Sequence, residues 1–119
     1  MKLLTADIRN RLLRNGRVRQ QCEQAGESEP DFLPVVKLFT PDGGCTWLLT
    51  EINPEDPDIA FGLCDLGFGC PELGSVSLSE LESVRGQLGL PVERDLYFTA
   101  TKTLSAYADE VRAHGGIRA

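Results

Sequence analysis

Histidine is almost missing from this sequence. His114 is the only one, close to the end of the 119 residues, so no Ser–His or Cys–His pair can be built except from the tail. Its position near the end of a predicted helix suits a cation at a helix C-terminus, a capping role. Long apolar runs are missing too, and with them any membrane-spanning segment. The opening MKLLTADIRN has two adjacent leucines before Asp7 and Arg9, without the apolar core of a signal peptide. The expectation is a cytoplasmic protein with no membrane partner, whose four cysteines are free thiols. "GFG" at 67–69 lacks the Lys-Ser/Thr pair of a phosphate loop and reads as a turn. No run of acids followed closely by a lysine, as in metal-dependent nucleases, surrounds Glu51, Asp65 or Asp95.

What is present fits one soluble domain: 41% apolar and 25% charged residues, with 12 glycines and 7 prolines spread along the chain. The net charge of -6 is unevenly placed. Lys2, Arg9, Arg11, Arg14, Arg17 and Arg19 face only Asp7 in the first twenty residues, a balance of +5, so the rest of the chain sums to -11. A basic arm on an acidic body can attract its own body, or it can meet an acidic partner or nucleic acid.

Thr5 is positioned as an N-cap, and Leu4, Ile8 and Leu12 recur at four-residue spacing around it. Gly16 is expected to interrupt that helix, with a second helical run to about Ala25 and a loop at Gly26, Ser28 and Pro30. Between Phe32 and Leu66 three strand-like runs, FLPVVKLFT, CTWLLTEI and IAFGLCDL, are separated by the turns PDGG and NPEDPD. In the second run Cys45, Trp47, Leu49 and Glu51 share the expected core face, with the helices laid across it. "GFGCPELG" reads as a loop. Ser77 and Glu80 have capping-box spacing and place a helix over 78–85. "PVERDLYFT" reads as a fourth strand or extended segment, and Thr103 opens a last helix ending near His114 and Gly115, with Leu104, Tyr107, Ala108 and Val111 inward.

KLFTPDGGCTWLLTE, AFGLCDLGFGCPELGSVSLSELESVRGQLGLPVERDLYF and the opening MKLLT resemble a bacterial family named only as domain of unknown function 2958. The resemblance implies a setting, mobile DNA such as plasmids and integrative elements in a bacterial cytoplasm, and it transfers no catalytic residue. Where the family pattern has an aromatic this chain has Cys45, which marks that position as one of packing.

Glu93, Arg94 and Asp95 stand in a row. On a strand Glu93 and Asp95 point one way, roughly 7 Å apart, and would suit a cation or an acid–base pair with Glu51 or Glu72. Arg94 points the other way and would form a structural ion pair with Glu51, Glu72 or Glu80 that locks the last strand to the body. Cys45, Cys64 and Cys70 are weak metal candidates, since Cys64 and Cys70 lie too far apart for a usual zinc pair; no cofactor is expected. Glu55, Asp56 and Asp58 continue an acidic turn after Glu51, which reads as a solvated hairpin tip or a phosphate-like surface.

These residues predict a single α+β domain: residues 1–31 helical and basic, 32–98 sheet-rich, and 103–114 a C-terminal helix. An antiparallel sheet of four or five strands carries the N- and C-terminal helices, and Trp47, Phe39, Leu49, Phe61, Leu63, Leu81, Leu96 and Phe98 form the core. The expected function is non-catalytic binding of a macromolecule, a protein partner first, through the acidic face, Phe68 or the basic arm. The alternatives are a small carboxylate-based, metal-assisted enzyme using Glu93 and Asp95, and nucleic-acid binding by Arg9, Arg11, Arg14, Arg17 and Arg19, which their scattered helical angles oppose.

Overall fold

The computed structural model describes residues 3–119. Thr5 caps the first helix, its hydroxyl accepting from the Ile8 N–H at 3.1 Å. That helix, α1 (Ala6–Gln24), runs unbroken through Gly16, contrary to the sequence expectation. The reason is packing. Gly16 is pressed against the Ile52 backbone, where an added Cβ would run into the carbonyl oxygen and stand 3.1 Å from the Pro54 ring. Glycine is here for close approach, and the cost of about 1 kcal/mol in helix propensity is outweighed by burial of the stripe through Leu12 and Gly16.

The sheet has five antiparallel strands, β1 (Val36–Phe39), β2 (Thr46–Ile52), β3 (Ile59–Asp65), β4 (Glu72–Ser77) and β5 (Glu93–Arg94), in the order β4-β3-β2-β1-β5. The meander of the first three strands follows the two turns legible in the sequence. β4 lies within a stretch read as loop and helix lead-in; it pairs with β3 from Ile59↔Ser77 to Cys64↔Glu72. Two glycyl and seryl positions in its middle hid it. β5 is only two residues long, because Asp95 turns the chain: its carboxylate accepts from the Tyr97 N–H at 2.9 Å. The face alternation expected through Phe98 therefore stops at Arg94, and Leu96 is 69% exposed instead of core.

β2 is buried on both faces, which corrects the expectation that the helices share one face. Trp47, Leu49 and Ile52 join Leu12 and the buried leucines of α2 (Leu78–Ser83), whereas Leu48 and Leu63 join Leu104, Tyr107, Ala108 and Val111 of α3 (Leu104–His114). Simple alternation puts Ile52 with Leu48. A register shift between Leu49 and Glu51 reverses the phase, so Ile52 returns to the Trp47 face and Glu51 stands opposite Phe61. The backbone freed at this bulge is satisfied from α1: Asn15 Nδ2 donates to the Thr50 carbonyl at 2.9 Å. Phe39, Phe61 and Phe98 are only partly buried.

The start of α2 and the end of α3 follow their sequence signals, but α2 stops at Ser83, short of the expected Arg85, because Val84 is already extended. The Ser77 hydroxyl accepts from the Glu80 N–H at 3.2 Å, and Gly115 closes α3 in the left-handed conformation, φ 75°. Thr103 occupies the N-cap position of α3 but makes no side-chain cap bond; Asp31 supplies it from 74 residues away, accepting from the Ser105 N–H at 3.1 Å and from its hydroxyl. Among the described residues no helix is long and apolar enough to cross a membrane.

Candidate functional site

α1 packs across β2 so closely at Gly16 that the next turn of the helix overhangs the end of the sheet. Arg19, one turn beyond, lies at the same helical phase as Leu12 and Gly16 and is turned inward, away from the basic arm to which the sequence assigns it. Its Nε donates to Glu51 Oε2 at 2.5 Å, Nη1 lies 3.5 Å from Glu29, and Nη2 donates to the Pro30 carbonyl at 3.3 Å. The guanidinium also stands 5.6 Å from the Phe61 ring centroid and 6.0 Å from that of Phe32. The hydrogen bond that Arg19 donates to Glu51 raises its pKa further above the ordinary range, partly offset by burial. Glu51, whose side chain is 6% exposed, has a second contact from the Thr50 hydroxyl.

These groups line a cavity of about 440 Å³ between α1, the 53–55 turn and Ser75, with Glu23, Glu29 and Glu55 around its mouth. Every Arg19 nitrogen has an acceptor and the buried carboxylate is held by an arginine, which keeps a permanent charge and cannot exchange protons near neutral pH. The arrangement clamps three segments together. A helical phase count from Leu12 would have found Arg19. Its partner depends on the bulge, which the sequence does not announce.

The other carboxylates named from the sequence do not converge with Glu51. Glu72 lies on β4 and Glu93 on β5, opposite edges of the sheet, four strand spacings or about 19 Å apart. Asp95 lies 3.6 Å from Lys37 and caps Tyr97. Arg94 Nη1 donates to the Leu3 carbonyl at 2.7 Å and so ties the last strand to the N-terminal segment. Glu51, one of its expected partners, is held by Arg19 instead.

In the acidic turn, Asp58 binds the start of α2: its oxygens accept from the Ser77 hydroxyl at 2.6 Å, the Ser79 N–H at 2.9 Å and the Ser79 hydroxyl at 3.0 Å. Ser77 and the Ser79 backbone chiefly hold it below the usual carboxylate range, with a smaller contribution from Arg9. Asp56 accepts from the Asp58 N–H, Glu55 donates its N–H to Asn53, and the turn is knitted internally. Cys45, Cys64 and Cys70 are free thiols; burial pushes Cys64 up to about 11, and among the described residues no three His, Cys, Asp or Glu groups lie together as metal ligands would.

A different set of residues meets at the end of the sheet where β1 turns into β2 and β3 into β4. The two turns touch: an added Cβ at Gly44 would lie 3.7 Å from the Gly67 Cα, and the Cys45 thiol donates to the Leu66 carbonyl at 3.7 Å. Asp42 reaches from the first turn to the loop after α2, accepting from the Leu88 N–H at 2.6 Å and the Leu90 N–H at 3.4 Å. Asp65 fixes the second turn through the Gly67 N–H at 2.9 Å and the tail through the Ile117 N–H at 3.2 Å. Three loops are thereby tied into one rim, and it carries Leu66, Phe68, Leu88 and Leu90 outward at 52, 85, 80 and 43% exposure. Phe68 is visible in the sequence; the join through Asp42, 46 residues from Leu88, is not.

A family model described as Protein of unknown function (DUF2958) matches residues 3–118, nearly the whole chain. The chain is a DUF2958 protein. No curated protein and no solved structure matches it. In this DUF2958 chain, then, the candidate sites rest on the geometry above: a saturated ion-pair clamp, a pinned apolar rim, and the outer face of α1, where Arg11, Arg14 and Arg17 are exposed.

Proposed function

We propose that this protein is a non-catalytic interaction module that docks a protein partner in the bacterial cytoplasm, in the mobile-element setting its sequence implies. The observation that carries this reading is the rim: four large apolar side chains displayed at one end of the sheet by loops whose backbone is pinned by buried or half-buried aspartates. Exposed leucines and a phenylalanine contribute little to the fold, and singly they would need no explanation. Gathered on loops that are already ordered, they form an anchor set that binds without a further cost of loop ordering.

The test is affinity capture from the native host with nuclease present, comparing wild type with the Phe68→Glu/Leu88→Glu variant. The expected result is a stoichiometric protein partner captured by wild type and lost from the variant, with the melting temperature unchanged. Retention of that partner by the variant, or no stoichiometric partner at all, would overturn the reading.

A further inference from the structure

The basic arm divides in the fold. Arg9 lines a shallow groove with Asp58 and Arg19 is clamped by Glu51, but Arg11, Arg14 and Arg17 form neither a side-chain hydrogen bond nor an ion pair among the described residues. Spaced three apart, they rise about 4.5 Å per step and wind slowly along the outer side of α1. All three are exposed, and Glu23, the nearest glutamate further along the helix, faces the Arg19 cavity on the other side.

Arg11 and Arg14 also form one wall of a second groove of about 510 Å³. Its other wall comes from the segments before β1 and after β5 and includes Phe32, Leu33, Phe98 and Thr99; no Asp or Glu lines it. Elsewhere the surface is dominated by acids, since the chain beyond residue 20 sums to -11. A groove with no carboxylate in its lining, beside three arginines without a hydrogen bond or ion pair among the described residues, is thus a basic surface on an acidic chain.

We infer that this groove and the arginine row bind single-stranded nucleic acid. Guanidinium groups match phosphate oxygens in bidentate fashion, and phenylalanine rings offer faces on which unpaired bases stack. A duplex keeps its bases away from such a groove and needs a broad basic surface, which a chain of net charge -6 lacks. An acidic polypeptide would satisfy the arginines but make no use of the half-buried Phe32 and Phe98 rings in the groove wall. This surface is separate from the apolar rim, and the inference goes beyond the protein-docking reading without requiring it.

The experiment is fluorescence anisotropy with labelled oligothymidylate, a labelled hairpin duplex and labelled polyglutamate, each across a salt series. The expected result is binding to the single strand above the other two, with log K falling against log salt at a slope of about -2 for three phosphate contacts. The Arg11→Gln/Arg14→Gln variant should bind about tenfold or more weakly and with a shallower slope. Arg112→Gln, which removes an exposed charge on α3, should bind as wild type does. Absence of single-strand binding at low salt, equal binding of polyglutamate, or an unchanged constant in the double variant whose melting temperature matches wild type would overturn the inference. Phe68→Glu/Leu88→Glu should keep the single strand, so failure of this inference and failure of the protein-docking reading show in different variants.

Discussion

Replacing Arg19 by alanine removes the cation that meets Glu51, a carboxylate with 6% of its side chain exposed. Breaking a buried ion pair from one side typically costs 3–5 kcal/mol, because the remaining charge loses its partner without regaining water. Here Arg19 is 21% exposed and borders a cavity, so water can enter after truncation and the cost falls near the lower end. Loss of the Pro30 contact and of two ring contacts near 6 Å adds a little, giving about 3–4 kcal/mol. For a domain of this size that is a drop of roughly 12–16 °C in melting temperature. Urea unfolding followed by fluorescence of Trp47, the single tryptophan, which is 4% exposed in the cluster beneath α1, measures it directly. If the pair is a clamp and not a site, Arg19→Met/Glu51→Leu should recover stability to within about 1 kcal/mol of wild type. A single variant within about 0.5 kcal/mol of wild type, or a double variant as damaged as the two singles together, would refute the reasoning.

Gly16→Ala should destabilise the protein by about 1–3 kcal/mol in the same assay, because the methyl group meets the Ile52 carbonyl and overpacking outweighs the gain in helix propensity; a more stable variant would show that α1 does not sit this close. Asp31 is held below its ordinary value chiefly by the Ser105 hydroxyl, so its contribution is present above the unfolded value of 3.8 and is lost as pH falls through the lower folded value. The melting-temperature gap between wild type and Asp31→Ala should therefore be constant near neutrality and narrow below about pH 4, and a gap that widens on acidification would contradict the cap. With a thiol reagent under native conditions the exposed Cys70 should react first, whereas Cys64, pushed up to about 11, should react only on unfolding; mass mapping of the labelled peptides decides the order.

The elements legible in the sequence were those specified locally. Thr5, Ser77 and Gly115 mark helix ends through bonds to neighbours three or four residues away, and the turns PDGG and NPEDPD fix the meander by their own backbone preferences. What was hidden depends on partners distant along the chain. β4 is held by its ladder to β3 and not by the propensity of a Gly-Ser-Val-Ser run. Gly16 looks like a helix breaker until Ile52 is seen beside it, and the bulge at Thr50 inverts the inside and outside of the last β2 residues. The site residues divide the same way. Phe68 and the outer arginines are visible as exposed types in exposed places, but the Arg19–Glu51 clamp and the Asp42 tie need contacts spanning 32 and 46 residues.

The antiparallel order also sets how the two surfaces relate. β1 enters the sheet from the 32–35 segment and leaves it at the turn that meets Gly67, so the groove and the apolar rim lie at opposite ends of the strands. Asp42 and Asp65 pin the rim at one end, and the Arg19 clamp and the Asp31 cap hold the chain around the other. Because the anchoring groups at each end are distinct, substitution of the outer arginines leaves the rim's hydrogen bonds intact, and substitution of Phe68 or Leu88 leaves the clamp intact. A protein seated on the rim and a strand seated in the groove would occupy opposite ends of the sheet, so neither need displace the other, and a protein partner should be captured equally well with and without saturating oligothymidylate.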